Sequence, residues 1–457
     1  MTSDNWTTIG AIAEVFDGPH ATPKKIDEGP VFLGIASLNN GSLDLSKSEH
    51  LSEEDFAKWT KRVTPKAGDV VFSYETRLGD AAIIPEGLRC CLGRRMGLLR
   101  PNLNKVLPEY LLYAYLAPDF QSLIIARTIH GSTVDRIALK DLPNFPIQIP
   151  PLEEQRSTID ILKSLDDKIE LNRQINQTLE QIAQTNFKSW FVDFEPVKAK
   201  IEAKAAGRDP ERAAMCAISG KLEPELDQLP PEQYQQLAAT AALFPDELVD
   251  SELGLIPVGW EVKSVSDVSK FATGKIDVST LSVDNYISTE NMLENKGGVG
   301  FASSLPSVPK VPNFSRGQVL ISNIRPYFKK IWLARFDGGR SNDVLCFESF
   351  EEDCIEFLYN LFYQDEFFDF MMRTSKGAKM PRGDKNAIAG WKFACARHAL
   401  RSCFSEKVQP YYSYIESLNA EVQQLSYTRD ALLPKLLSGE LSLATENSFR
   451  MGQVQVI

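Results

Sequence analysis

The chain is written twice. Leu165, Ile169, Asn172, Asn176, Leu179, Ala183 and Asn186 recur at alternating steps of four and three residues, the spacing of a helix-to-helix seam. Tyr411, Ile415, Leu418, Val422, Leu425, Arg429 and Leu432 repeat those steps 246 residues later. The first set lies in Leu152–Phe191, which has no Gly or Pro and is led in by Pro150 and Pro151. That stretch predicts one long helix. Arg127, Thr128, Gly131 and Arg136 reappear at the same offset as Arg373, Thr374, Gly377 and Arg382. A period this long implies duplicated domains, not a solenoid.

The surrounding stretches support the repeat. Asn5-Trp6-Thr7-Thr8 corresponds to Gly259-Trp260-Glu261-Val262. Lys66 to Ser73 corresponds to Ser315 to Ser322 around a shared Gly, and Glu109 to Leu112 corresponds to Glu356 to Tyr359. Val31 to Ile35 and Asp69 to Ser73 read as short strands, with Asn40-Gly41 as a turn. Pro108-Glu109 opens a helix expected over Tyr110 to Ala126. Residues 195–254 are acidic, with Ala, Glu and Gln dominant and prolines as punctuation, and a short helix is expected over Pro231 to Leu243. This insertion is either a solvated helical elaboration or a docking surface for a partner.

Bulk composition narrows the classes. A chain of 457 residues, 43% apolar and 24% charged, suits two or three soluble domains with real cores. No apolar run is long enough for a membrane span, and the start MTSDNWTTIG lacks a signal peptide's pattern, so a cytoplasmic protein is expected. Seven Cys without a CxxC pair read as reduced thiols. The net charge of −11 argues against general nucleic-acid binding. The charge is uneven, however: Arg373 to Arg401 holds eight Lys/Arg against one acid, Asp384. A local basic face of this kind is compatible with DNA.

Four runs then identify a family. Phe145 to Gln155 (FPIQIPPLEEQ), Asn186 to Val197 (NFKSWFVDFEPV), Leu253 to Val262 (LGLIPVGWEV) and Arg429 to Leu441 (RDALLPKLLSGEL) stand in an order that resembles the specificity subunits of type I restriction–modification systems. The resemblance covers nearly the whole chain. It implies an α+β fold of two duplicated α/β target-recognition domains, joined by two long antiparallel coiled-coil helices with pseudo-twofold symmetry. The layout becomes 1–150, first recognition domain; 151–194, central helix; 195–254, insertion; 255–403, second recognition domain; 404–443, C-terminal helix; and 444–457, flexible tail. The seam is expected at Leu165, Ile169, Asn172, Asn176 and Leu179 against Tyr411, Ile415, Leu418, Val422 and Leu425. Asn172 and Asn176 either fix its register or sit at a solvated edge. One departure stands out. Where the first half has prolines before its helix, the second has Trp391 to His398, and Pro410 places the start of the regular helix near itself.

The resemblance also implies function. Each recognition domain reads half of a split site on double-stranded DNA. The subunit docks two modification (methyltransferase) subunits and two restriction (ATP-dependent nuclease and translocase) subunits. The chain needs no cofactor itself, because S-adenosylmethionine, ATP and Mg belong to those partners. Half-sites one turn apart lie about 34–36 Å apart, and about 25 helical residues span roughly 38 Å, so paired helices could act as a spacer.

The residues alone agree that catalysis lies elsewhere. There is no GxxxxGK[ST] loop and no Asn-Pro-Pro-aromatic motif, and His20, His50, His130 and His398 give no metal spacing. Gly297 to Gly300 has no strand–helix context. A stand-alone nuclease or methyltransferase, and a coiled-coil scaffold without DNA contact, are the alternatives. The DNA-binding candidates are two segments per half. In the first half they are Tyr74 and Arg77, then Ser132, Thr133, Arg136 and Lys140, with His130 beside them. In the second they are Asn323, Arg325, Lys329 and Lys330, with Tyr327 among them, then Lys376, Lys379, Arg382 and Lys385. Glycines there allow close backbone approach to phosphate, and Lys and Arg supply charge. For any single cation the competing reading is a solvated face. If Arg382 contacts phosphate, Arg382→Ala lowers both affinity and salt slope.

Overall fold

A computed structural model describes residues 5–39, 41–131, 134–377 and 379–441. The chain divides into two compact units, residues 1–172 with 421–457, and residues 173–420. Both mix helix and strand, so the fold class is α+β.

In unit 1 the centre is an antiparallel sheet of β1 (Ala13–Asp17), β2 (Val70–Ser73), β3 (Ala81–Ile83) and β4 (Met96–Pro101), in the order β1-β4-β2-β3. Val70, Val71 and Phe72 on β2 are fully buried, as expected for a central strand covered on both faces. Helices α1 (Pro108–Leu116) and α2 (Pro118–Ala126) cover one face, with Phe72, Tyr115 and Phe120 in ring contact. The single helix expected over Tyr110–Ala126 is therefore two helices. Pro118 lacks the N–H that a continuous helix would use, and Ala117 before it is extended.

Trp6–Thr8 pairs antiparallel with Pro146–Gln148, tying the start of the domain to the strand that leads into helix α3 (Leu152–Phe191). Gln155, in the first turn of α3, is fully buried. Its amide accepts from Leu107 N–H at 2.8 Å and donates to the carbonyls of Lys105 and Pro150 at 3.0 and 2.8 Å. Such a satisfied buried amide fixes where the helix departs.

Unit 2 repeats this plan. Its sheet consists of β5 (Ser269–Phe271), β6 (Val319–Ser322), β7 (Ile331–Leu333) and β8 (Val344–Ser349), in the order β5-β8-β6-β7. Helices α4 (Ile355–Tyr363) and α5 (Asp365–Arg373) follow, and Glu261–Ser264 pairs with Lys392–Cys395. Helix α6 then runs His398–Leu437. It starts well before Pro410, which lies inside it. Pro410 and Glu406 are both exposed, so the ladder bond missing at Pro410 falls on the solvent side, where water can satisfy the carbonyl. Gly439, at φ +72°, follows the helix end.

Within each unit the two long helices run antiparallel. In unit 1, Asp166 pairs with Arg429 (2.9 Å) and Asn172 with Glu421 (2.8 Å). Ile159 and Leu162 share a core with Leu433, Leu436 and Leu437. In unit 2, Asn176 donates to Asn419 at 2.8 Å, and Phe187, Trp190 and Phe191 pack on Phe404 at ring separations of 5.5, 5.8 and 5.3 Å. Ile169, Asn172 and Leu418 are buried, while Leu165, Asn176, Leu179, Tyr411, Ile415, Val422 and Leu425 are half-buried. Asn172 is fully buried, which favours a register role over a solvated edge.

The insertion is not a solvated elaboration. Its helices Glu195–Ala205, Pro210–Ser219, Glu223–Leu226 and Pro231–Ala242 bury Val197, Met215, Ile218, Leu226 and Phe244 in the same core as Trp190. Buried Lys200 donates to Glu211 (2.7 Å) and to the Phe244 carbonyl (2.8 Å). All seven Cys are free thiols, and burial pushes Cys90 and Cys91 up to about 12. The tail expected to be flexible, 444–457, lies outside the described residues, as does Asn40 of the expected turn.

Trp190 is fully buried, whereas Trp6 is 57% exposed. Trp190→Ala is expected to destabilise unit 2 by about 3–5 kcal/mol, while Trp6→Ala should change stability by about 0.5 kcal/mol or less. Urea unfolding followed by circular dichroism checks both; equal shifts would contradict this packing.

Candidate nucleic-acid interface

In each unit the segment after the central strand meets the loop after the helix pair. In unit 1, β2 ends at Ser73 and Tyr74 turns inward. Glu75 then bridges to Arg136. Thr76 N–H donates to the Asp135 carbonyl (3.2 Å), and Ile137 N–H to the Tyr74 carbonyl (2.9 Å). Ile129 and Arg136 exchange two backbone bonds at 2.8 and 3.1 Å, closing the loop. In unit 2, Ile324 bridges to Arg382. Arg325 N–H donates to the Pro381 carbonyl (2.8 Å), Gly383 N–H to the Asn323 carbonyl (3.0 Å), and Lys376 and Arg382 exchange two bonds at 2.9 Å. Thr76 (φ +70°) and Arg325 (φ +49°) both occupy the left-handed region at matching places. Non-glycine residues rarely adopt it, and such strain concentrates at functional corners.

A third segment joins each corner. In unit 1 it is the turn Gly93-Arg94-Arg95 before β4. The Arg95 carbonyl accepts from Tyr74 N–H (3.2 Å), and its guanidinium reaches Glu75 (3.1 Å) and the Thr76 hydroxyl (3.1 Å). In unit 2 it is Ser341-Asn342-Asp343 before β8. The Asp343 carbonyl accepts from Asn323 N–H (2.8 Å), and its carboxylate pairs with Arg382 (3.0 Å). These turns were missed from sequence. The available signal was a basic pair, Arg94-Arg95, set between two buried strands.

The candidates fall into distinct roles. Tyr74 is buried, and its hydroxyl donates to Asp17 at 2.9 Å. Burial, then Asp17, pushes its phenol well up. Asn323 is buried too, with Oδ1 2.6 Å from where a Cβ on Gly383 would lie, so Gly383 makes room for it. Both side chains hold the corner instead of facing outward, which corrects their assignment as DNA contacts. Arg77 is exposed but committed to Asp80 (2.5 Å) and the Ile35 carbonyl (3.1 Å).

Lys329 pairs with Asp365 (3.0 Å), and Lys330 donates to the Thr289 carbonyl (2.8 Å). Lys376 pairs with Asp384 (2.6 Å), and that Asp also caps helix Lys385–Ala389. Lys376 first, then these backbone amides, hold the Asp384 carboxyl low. Lys385 lies over the Phe271 ring at 6.0 Å. His130 meets Asp135 at 3.1 Å. Arg136, Lys140 and Lys379 are exposed and form no ion pair among the described residues; Tyr327 is 47% exposed. Ser132 and Thr133 lie outside the described residues.

Among the described residues, one group has the composition of a metal site, namely Glu351, Cys354 and His398. Both Glu351 oxygens are taken by the buried Arg401 guanidinium, and burial pushes the Cys354 thiol up. A cation there would face a fixed positive charge and a protonated thiol, so these residues form an ion-pair corner. No helix among the described residues is long and apolar enough to cross a membrane.

The two α+β units share one strand order and a three-segment corner. Residues 4–181 match the family model of the type I restriction modification DNA specificity domain. The chain is similar to the type I restriction enzyme HindI specificity subunit of Haemophilus influenzae, with 30% identity over 90% of this chain and 95% of that protein. It is also similar to the MjaIX specificity subunit of Methanocaldococcus jannaschii, with 24% identity over 93% of this chain and 87% of that protein. The fold resembles the crystal structure of a type I restriction–modification S subunit from M. genitalium, with TM-score 0.50 and 15% identity, covering 95% of this chain and 97% of that one. The chain belongs to the specificity subunits of type I restriction enzymes. Subunits of this family are non-catalytic.

Lys296 first, and Lys329 after it, hold the Asp365 carboxyl below its ordinary value of 3.8. A depressed carboxylate stabilises the fold above its unfolded pKa and loses that contribution as pH falls through its folded pKa. Asp365→Asn should therefore flatten the decline of unit 2 stability below about pH 4. Thermal melts across that range check it; an unaltered acid limb would reject the clamp.

Proposed function

We propose that this chain supplies DNA sequence specificity to a type I restriction–modification complex, each unit reading one half of a bipartite site on double-stranded DNA. The observation that carries this is the repeated corner: strand end, left-handed residue, pre-strand turn and post-helix loop meet in both units through matching backbone bonds, with the loop-closing pair one residue tighter in unit 2. Similar frames with different side chains suit two half-sites of different sequence. Arg136 and Lys140 in unit 1, and Lys379 and Lys385 in unit 2, are among the exposed cations of these frames. Family membership supports the reading and makes a stand-alone nuclease or methyltransferase the weaker one.

The recognition domains are residues 1–150 and 255–403. They are duplicated copies, with the antiparallel helices as a coiled-coil spacer. The subunit docks two modification subunits, which bring S-adenosylmethionine, and two restriction subunits, which bring ATP and Mg. The chain holds no cofactor of its own.

Footprinting on host DNA tests this. The chain with its modification subunit should protect two patches separated by an unread spacer, and Lys379→Ala should weaken binding while lowering the log–log salt slope by about 1. A single continuous patch would overturn the two-reader assignment.

A further inference from the structure

We propose that Arg94 is a DNA-contacting cation of unit 1, presented by the Gly93–Arg95 turn, and that Arg382, at the same corner of unit 2, positions its loop without itself contributing a charge to DNA. This rests on reading each unit as the holder of one half-site.

The argument is a tally of charges at the two corners. In unit 1 two acids are held by arginines, Glu75 by Arg95 and Asp80 by Arg77, while Asp135 meets the His130 ring at 3.1 Å. Arg94 and Arg136 remain, both exposed and with no carboxylate partner among the described residues. In unit 2 the wiring is reversed. The pre-strand turn supplies the acid, Asp343, and the loop supplies the cation, Arg382, at 3.0 Å. A paired cation must give up its partner to meet phosphate, so its net gain is small. An unpaired one displaces a condensed counterion in full. Arg136 and Arg382, at equivalent positions, thus differ: the first has no carboxylate partner among the described residues and the second is held by Asp343.

The turn is also built to hold Arg94 in place. A Cβ on Gly93 would lie 2.4 Å from the Leu33 carbonyl oxygen, and Gly93 N–H donates to that same oxygen at 2.7 Å. Arg95 is left-handed at φ +73° and is clamped to both Glu75 and Thr76. Arg94 therefore projects from a backbone fixed on both sides, so less order must be imposed on binding than for a cation on a loose loop.

The test uses the full chain with its modification subunit and a fluorescent duplex carrying the motif found methylated in the host. Parallel duplexes have either half scrambled. Anisotropy titrations across a salt series are expected to show Arg94→Ala weakened about tenfold, with the slope lowered by about 1. Arg94→Lys should keep the slope, and Arg382→Ala should keep the slope while lowering the melting temperature. Arg94→Ala with wild-type affinity and slope would overturn the proposal, as would a slope loss in Arg382→Ala. If the wild-type complex does not distinguish scrambled halves, the half-site reading itself falls, a result separable from the variant data.

Discussion

The rest of the structure depends on how each recognition unit is closed onto its helix. A short antiparallel pair joins the first strand of the domain to its last: Trp6–Thr8 with Pro146–Gln148, and Glu261–Ser264 with Lys392–Cys395. Immediately after the second strand of each pair a forty-residue helix begins. The closing pair brings distant parts of the chain together and sets the direction in which the helix leaves. Buried polar groups then lock that exit: Gln155 in unit 1, and in unit 2 Arg401, which donates to the Ala396 carbonyl at 3.0 Å and holds Glu351. Without these ties a domain could fold and still present its loops in no fixed direction.

Aromatic packing reinforces the same junction in unit 2. Phe187, Trp190 and Phe191 at the end of α3 meet Phe357, Phe404 and Trp260, and the insertion adds Phe244, just past its last helix. A cluster of large rings in edge and tilted contact resists bending better than single aliphatic contacts. Around it runs a polar layer. Asn360 accepts from Gln184 (2.7 Å) and Tyr412 (3.0 Å), and Gln364 donates to Gln184 (3.1 Å). These bonds connect α3, α4 and α6, so recognition loops built on α4 and α5 inherit the rigidity of the helix pair.

The shared strand plan and the long first helix were legible because they rest on local periodicity and on direct repetition of residues. The break between the paired helices was not. In unit 1 Pro118 marks it, but in unit 2 the equivalent break falls at Gln364 with no proline. There the extended backbone is held by Gln364's own side chain, which donates to Gln184 and to the Asn360 carbonyl. Pro410 misled in the opposite way. A proline on the exposed face of a long, well-packed helix removes one bond and leaves the tertiary contacts intact.

Sequence by itself determined that this chain is two similar halves with seam-bearing helices, because hydrophobic spacing and repeated motifs need no knowledge of contacts. It also indicated which stretches carry the cations. Only the tertiary structure decided which cations are committed and which are open. Arg382 and Arg136 occupy equivalent positions, yet one faces Asp343 and the other has no acid partner among the described residues. The partner comes from a turn distant in sequence, and a charge's availability depends on its neighbours in space.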